Sequence, residues 1–155
     1  MYYEDLVKDF AKRTQRNLAV IRERRAAGDE VYDVTQLINS MLGLLVLPKE
    51  HYYDRIPQTP LDELRDAGWP APVVTGEMPE PKDLRKLMAL LRNSIAHCNM
   101  TFTERGGRIT GVEVWNTKNG KKDGERNWTA LLSLQDLESI TDRFTEVILS
   151  LPSKD

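Results

Sequence analysis

Apolar residues recur at helical spacing in several stretches of this chain and at two-residue spacing in one region, so the order of elements can be read first. Glu4 to Arg25 reads as a long helix, with Leu6, Phe10, Arg13, Asn17, Leu18 and Ile21 forming an apolar stripe with polar gaps. Its basic end (Arg22, Arg24, Arg25) suits the negative pole of the helix dipole, and Gly28-Asp29 breaks it. Asp33 or Thr35 is placed to cap a second helix running through Leu47. That segment is apolar nearly all round, which predicts a buried central helix stopped by Pro48. Residues 49–81 carry six prolines and read as an ordered connection with one short helix, Leu61 to Asp66. A third helix starts near Pro81, a residue suited to a first turn, and carries Leu84, Leu87, Met88, Leu91 and Ile95. The pattern then alternates at Thr101 to Thr103, Ile109 to Trp115 and Asn127 to Leu134. Gly106-Gly107, Asn119-Gly120 and Asp123-Gly124 separate these runs as turn signals. A last helix, Leu134 to Leu151, places Leu137, Ile140, Phe144, Val147, Ile148 and Leu151 on one face.

The expected fold is therefore mainly α: a helical bundle with a small antiparallel β insertion of two or three strands, about residues 101–134, before the last helix. A chain of 155 residues predicts a single domain, 1–155. With 22 Lys and Arg against 24 Asp and Glu, any nucleic acid must be held by a local basic patch rather than by overall charge. The polar, acidic start predicts no signal peptide, and the longest apolar run, Leu37 to Leu47, is too short to span a bilayer. One cysteine, Cys98, precludes an internal disulfide and suits a reducing cytoplasm.

The residues richest in chemistry are Leu91-Arg92-Asn93-Ser94-Ile95-Ala96-His97, near the end of the third helix. Arg92 offers a planar, permanently charged fork for phosphate oxygens, and a histidine such as His97 gives or takes a proton near neutral pH. On a regular helix the apolar stripe centres on Leu84, Leu91 and Ile95, and Cys98 falls on it, so Cys98 is expected to be buried and inert. His97 falls opposite, with Asn93 only about 40° away and placed to orient its ring, while Arg92 lies roughly 140° from it. Ala89 and Ala96 lie between, a small-residue face that would let another helix approach closely. The plainer account is a helix-terminal histidine interacting with the dipole and a solvated arginine paired with an acid.

Arg92 and His97, with polar Asn93 directly after the arginine, resemble the Arg-x4-6-His signature of the HEPN (higher eukaryotes and prokaryotes nucleotide-binding) domain, in its prokaryotic ribonuclease and toxin-like branch. The order of elements is similar over most of the chain, and residues 91–97 match closely enough to carry roles. The resemblance implies a HEPN-like helical bundle and a metal-independent endoribonuclease, often a toxin or a defence against phage. It implies a homodimer whose two motifs face one cleft, with Arg92 and His97 as the catalytic pair, Asn93 as their support and no cofactor. RNA would be cleaved by 2′-hydroxyl attack to 2′,3′-cyclic phosphate and 5′-hydroxyl ends. An antitoxin or other regulatory partner is implied as well, and no membrane. The nucleotidyltransferase-paired branch has a tyrosine two residues after the histidine; here Asn99 stands there, which argues against regulation by modifying that position.

Other constellations carry less. His51, His97 and Cys98 have no metal-ligand spacing, so no metal site is expected. Ser94 precedes His97 by three residues, but nothing like a nucleophile elbow surrounds it, and no phosphate loop is present. Lys118, Lys121, Lys122 and Arg126 form a basic cluster that could grip RNA backbone, with Trp115 or Trp128 for stacking; a solvated hairpin loop is the alternative. His51-Tyr52-Tyr53 reads as packing after the central helix. The competing functional class is a non-catalytic helical module binding RNA or a protein through the same dimer.

Overall fold

A computed structural model describes residues 5–77, 80–121 and 123–152, with the side chains of residues 47–51 left aside. The chain divides into two compact units, Met1–Ile56 with Thr141–Asp155, and Pro57–Ile140.

The first unit holds α1 (Leu6–Ala26), α2 (Asp33–Tyr52) and a 3₁₀ turn (Tyr53–Arg55). Helix α1 starts where the Asp5 side chain accepts from the Lys8 backbone N–H at 3.1 Å, and the Tyr52 hydroxyl donates to the other Asp5 oxygen at 2.7 Å. The buried stripe of α1 is Val7, Ala11, Thr14 and Leu18. It is offset from the expected one, and Leu6 is exposed. Small Ala11 and Thr14 let a partner helix come close, and α1 packs against α2. Gly43 of α2 takes the Phe10 ring: a Cβ there would stand 2.7 Å from Phe10 Cε1. Helix α2 also corrects the expected stop. It continues past Pro48 to Tyr52, forgoing one backbone hydrogen bond at the proline. It is not buried all round either: Leu37, Ser40, Met41, Leu44 and Leu45 are buried, while Ile38, Leu42 and Val46 are partly open.

The second unit holds α3 (Leu61–Asp66), β1 (Val73–Thr75), α4 (Leu84–Ala96), β2 (Met100–Arg105), β3 (Arg108–Thr117), β4 (Arg126–Ser133) and the start of α5 (Leu134–Ser150). Helix α3 spans the expected residues. The strands form one antiparallel sheet in the order β1-β4-β3-β2. This overturns the expectation of a mainly α bundle with a small insertion: the fold is mixed α and β, and the sheet recruits β1 from before α4. Val73-Val74-Thr75 pairs with Leu131, Ala130 and Thr129. Its three residues are too few to show a period, and its pairing is non-local. Val112 and Val114 of β3 are buried with their cross-strand partners Leu132 and Ala130 of β4, and α4 packs against β3. Helix α5 starts with a reciprocal cap, Ser133 N–H to Asp136 Oδ2 and Asp136 N–H to Ser133 Oγ, each 3.0 Å.

Candidate functional site

Helix α4 begins at an Asp83 cap, whose carboxylate accepts from the Lys86 N–H at 2.8 Å, so its first turn lies just beyond Pro81. Its apolar face is as expected: Leu84, Leu87, Met88, Leu91 and Ile95 are buried, joined by Leu90 and Ser94. The helix ends at Ala96 in a left-handed cap. Cys98 N–H donates to Ile95 O at 3.0 Å, Asn99 N–H donates to Ser94 O at 2.8 Å, and Cys98 takes φ +54°. That cap corrects the expectation for Cys98. The regular winding stops before residue 98, so the thiol leaves the apolar stripe and is exposed.

Strand β3 holds this end of α4 at two neighbouring residues. Asn116 Nδ2 donates to Leu90 O at 3.0 Å and to Ser94 Oγ at 3.2 Å, while Ser94 Oγ donates to Leu90 O at 3.0 Å. Trp115 N–H donates to Asn99 O at 3.0 Å, gripping the segment just after the cap. Ser94 is fully buried in this network, which fits its exclusion as a nucleophile. Asn116 is not singled out by the sequence motifs, although an asparagine in register with Val112 and Val114 on the inward parity of a strand is a signal for a buried polar contact.

Above this platform sit the motif residues. Arg92 is half-buried; its Nη1 donates to Asn93 Oδ1 at 2.8 Å, and its buried Nε–H has no partner. Among the described residues no carboxylate pairs with Arg92, unlike the arginines at the end of α1. His97 is exposed at the C-cap, and its backbone N–H donates to Asn93 O at 3.2 Å. Asn93 thus contacts both motif residues, but its side chain bonds the guanidinium rather than the imidazole. Ala96 is exposed and Ala89 partly so. Asn99 is buried with its Oδ1 unpaired. An arginine without a counter-ion can receive a phosphate, and an exposed histidine can serve a proton transfer.

The basic cluster of the β3–β4 hairpin is largely neutralised. Lys118 Nζ lies 2.9 Å from Glu77 and 3.1 Å from Glu125, and these two carboxylates hold its pKa above the usual lysine range. Arg126 pairs with Glu113 at 2.8 Å and lies over the Trp115 ring at 3.8 Å. Lys121 is exposed, and Lys122 lies outside the described residues. Trp128 is fully buried, so it offers no stacking surface, contrary to expectation. The side chain of His51 is outside the described residues, whereas Tyr52 is buried as expected. A concavity lined by Leu61, Leu64, Trp69, Pro72, Pro81 and Leu87 is apolar and includes none of the motif residues. Among the described residues no three His, Cys, Asp or Glu side chains are grouped to hold a metal ion. Nor is any described helix long and apolar enough to cross a membrane.

A family model described as HEPN pEK499 p136 matches residues 1–155, and that description suggests a nucleotide-binding or ribonuclease-like role. No curated protein and no solved structure matches the chain.

Proposed function

We propose that this chain, which belongs to the HEPN pEK499 p136 family, is a metal-independent endoribonuclease acting as a homodimer. The observation that carries the reading is the state of Arg92: held by an amide, unpaired by any carboxylate among the described residues, and followed five residues later by an exposed histidine at the end of the same helix. A half-buried guanidinium with a purely structural role is ordinarily matched to an acid, as part-buried Arg22 is to Asp142.

In the proposed reaction the RNA 2′-hydroxyl oxygen attacks the adjacent phosphorus, and the bond from phosphorus to the 5′ oxygen breaks. Two Arg92 side chains, one from each protomer, neutralise the non-bridging oxygens as negative charge builds on them. His97 takes the proton of the 2′-hydroxyl or delivers one to the departing 5′ oxygen. The products are a 2′,3′-cyclic phosphate and a 5′-hydroxyl, and DNA is spared because it lacks the nucleophile. The exposed Ala96 and partly exposed Ala89 suit close approach by a second α4. We assign the activity to a toxin or phage-defence setting in which an antitoxin or regulatory partner restrains it.

The test is cleavage of a labelled RNA in EDTA by the parent protein and by His97→Ala, with analysis of product ends. Cyclic-phosphate ends from the parent and a loss of ~10²–10⁴ in rate for the variant are expected. Equal cleavage by both would refute the assignment of His97. Absence of cleavage by a dimeric parent would favour the binding module instead.

A further inference from the structure

Helix α1 carries seven cationic residues and two carboxylates in its 21 residues, whereas the whole chain has a net charge of -2. The cations at its end are consumed within the same unit: Arg22 by Asp142, Arg24 by Asp29 and Arg25 by Asp33. Lys12 and Arg16 are different. Both are exposed, and neither has an ion-pair or hydrogen-bond partner among the described residues. With half-buried Lys8 at the flank they form a row at four-residue spacing, in which Lys12 and Arg16 point away from the buried stripe Val7, Ala11, Thr14 and Leu18.

A purely solvated face is a poor account of this row. Like charges four residues apart repel, and of the three only Lys8 lies, among the described residues, beside a carboxylate that its charge favours, that of Asp5. Four residues advance about 6 Å along a helix, close to the phosphate repeat of an extended single strand. Exposed Gln15 and Asn17 supply amides beside the row, and exposed Val20 continues it with an apolar contact.

We infer that the Lys8-Lys12-Arg16 row of α1 is a binding site for the phosphate backbone of single-stranded RNA, separate from the Arg92 and His97 motif. It supplies the local basic patch that the hairpin cations Lys118 and Arg126, paired with glutamates, do not. The inference rests on the ribonuclease reading only in choosing RNA over other polyanions.

The experiment measures fluorescence anisotropy of a labelled 2′-O-methyl RNA, which lacks the nucleophile and cannot be cut, across a salt series. Lys12→Gln with Arg16→Gln is expected to weaken binding at least tenfold at low salt. It should also reduce the slope of log affinity against log salt by ~1.4, about 0.7 for each phosphate that the variant no longer neutralises. Lys12→Arg with Arg16→Lys should bind as the parent does, because the charge at each position is kept. Equal weakening by Lys118→Gln with Arg126→Gln would overturn the inference in favour of a general charge effect. Unchanged binding by the Gln pair would overturn it outright. So would a loss confined to binding of phosphatidylserine vesicles, which would assign the row to a membrane surface.

Discussion

Arg92 donates through Nη1 to the side-chain oxygen of its own neighbour, Asn93, at 2.8 Å. The bond fixes one arm of the guanidinium without neutralising it, which is what an anion-binding arginine requires. In the proposed ribonuclease Asn93 is therefore a positioning residue. Asn93→Ala is expected to lower kcat/KM about tenfold to a hundredfold, the scale of an ångström-level misplacement. Asn93→Asp should lose more, because a carboxylate there pairs with Arg92 and competes with the scissile phosphate. Steady-state kinetics on a labelled RNA would decide it, and an Asn93→Asp variant as active as the parent would rule the role out.

Asn116 ties β3 to the end of α4 through Leu90 O and Ser94 Oγ. Asn116→Ala removes two donated bonds, to the Leu90 carbonyl and the buried Ser94 hydroxyl, which keep only their bond to each other. The expected cost is about 1–3 kcal/mol, read as a lower urea midpoint at unchanged slope. Activity should fall as well, because the same contact seats the turn that carries Arg92 and His97. A stability loss with kinetics unchanged would show that the seat is not needed for chemistry.

Cys98 occupies the left-handed position of the helix cap, where glycine has no steric penalty. Cys98→Gly is expected to stabilise the protein by about 1 kcal/mol, and Cys98→Val to destabilise it by at least as much. The exposed thiol of the folded parent should react with a disulfide reagent at the rate of an open cysteine. Thermal unfolding of the variants and the thiol titration check both.

How much of the molecule is legible in its sequence follows from which interactions are local. Helix α3 and the apolar faces of α4 and α5 depend on residues within a turn or two of each other, and the periodicity shows them. Strand β1 exists because of Leu131, Ala130 and Thr129, far along the chain, and three residues between Pro72 and Gly76 carry no period. The cap at Cys98 takes residues 97 and 98 off the helical wheel, so angular reasoning places the thiol wrongly. Arg92, Asn93 and His97 can be named from their order. That Asn93 serves the arginine rather than the histidine cannot, because side-chain reach rather than wheel angle decides it.

Gly43 and Phe10 interlock α1 with α2. Gly43→Leu drives a side chain into the ring and is expected to cost about 1–3 kcal/mol despite leucine's better helix propensity. Phe10→Ala alone should also destabilise, by opening a cavity. Together the two should cost less than their sum, with a coupling of about 0.5–3 kcal/mol in a double-mutant cycle of urea unfolding. Strict additivity would mean that the two residues do not share the space between the helices.

Asp5 caps α1 and accepts from Tyr52, and its pKa in the folded protein lies below the ordinary aspartate value. Burial pushes the value up, but the Tyr52 hydroxyl and then the Lys8 N–H, both favouring the charged form, pull it lower. A carboxylate with a depressed folded pKa contributes its full stabilisation above the unfolded value, 3.8, and loses it as pH falls through the folded value. Asp5→Asn keeps a capping oxygen but has no charge to lose. It should therefore be somewhat less stable than the parent near neutral pH, by about 0.5–1 kcal/mol, and approach it at the acid end. Urea midpoints of both proteins from pH 7 down to about pH 3 give the comparison, since that interval crosses the region where an ordinary aspartate titrates. A gap between the two that stays constant over the whole interval would show that the stabilisation comes from the geometry of the cap and not from its charge.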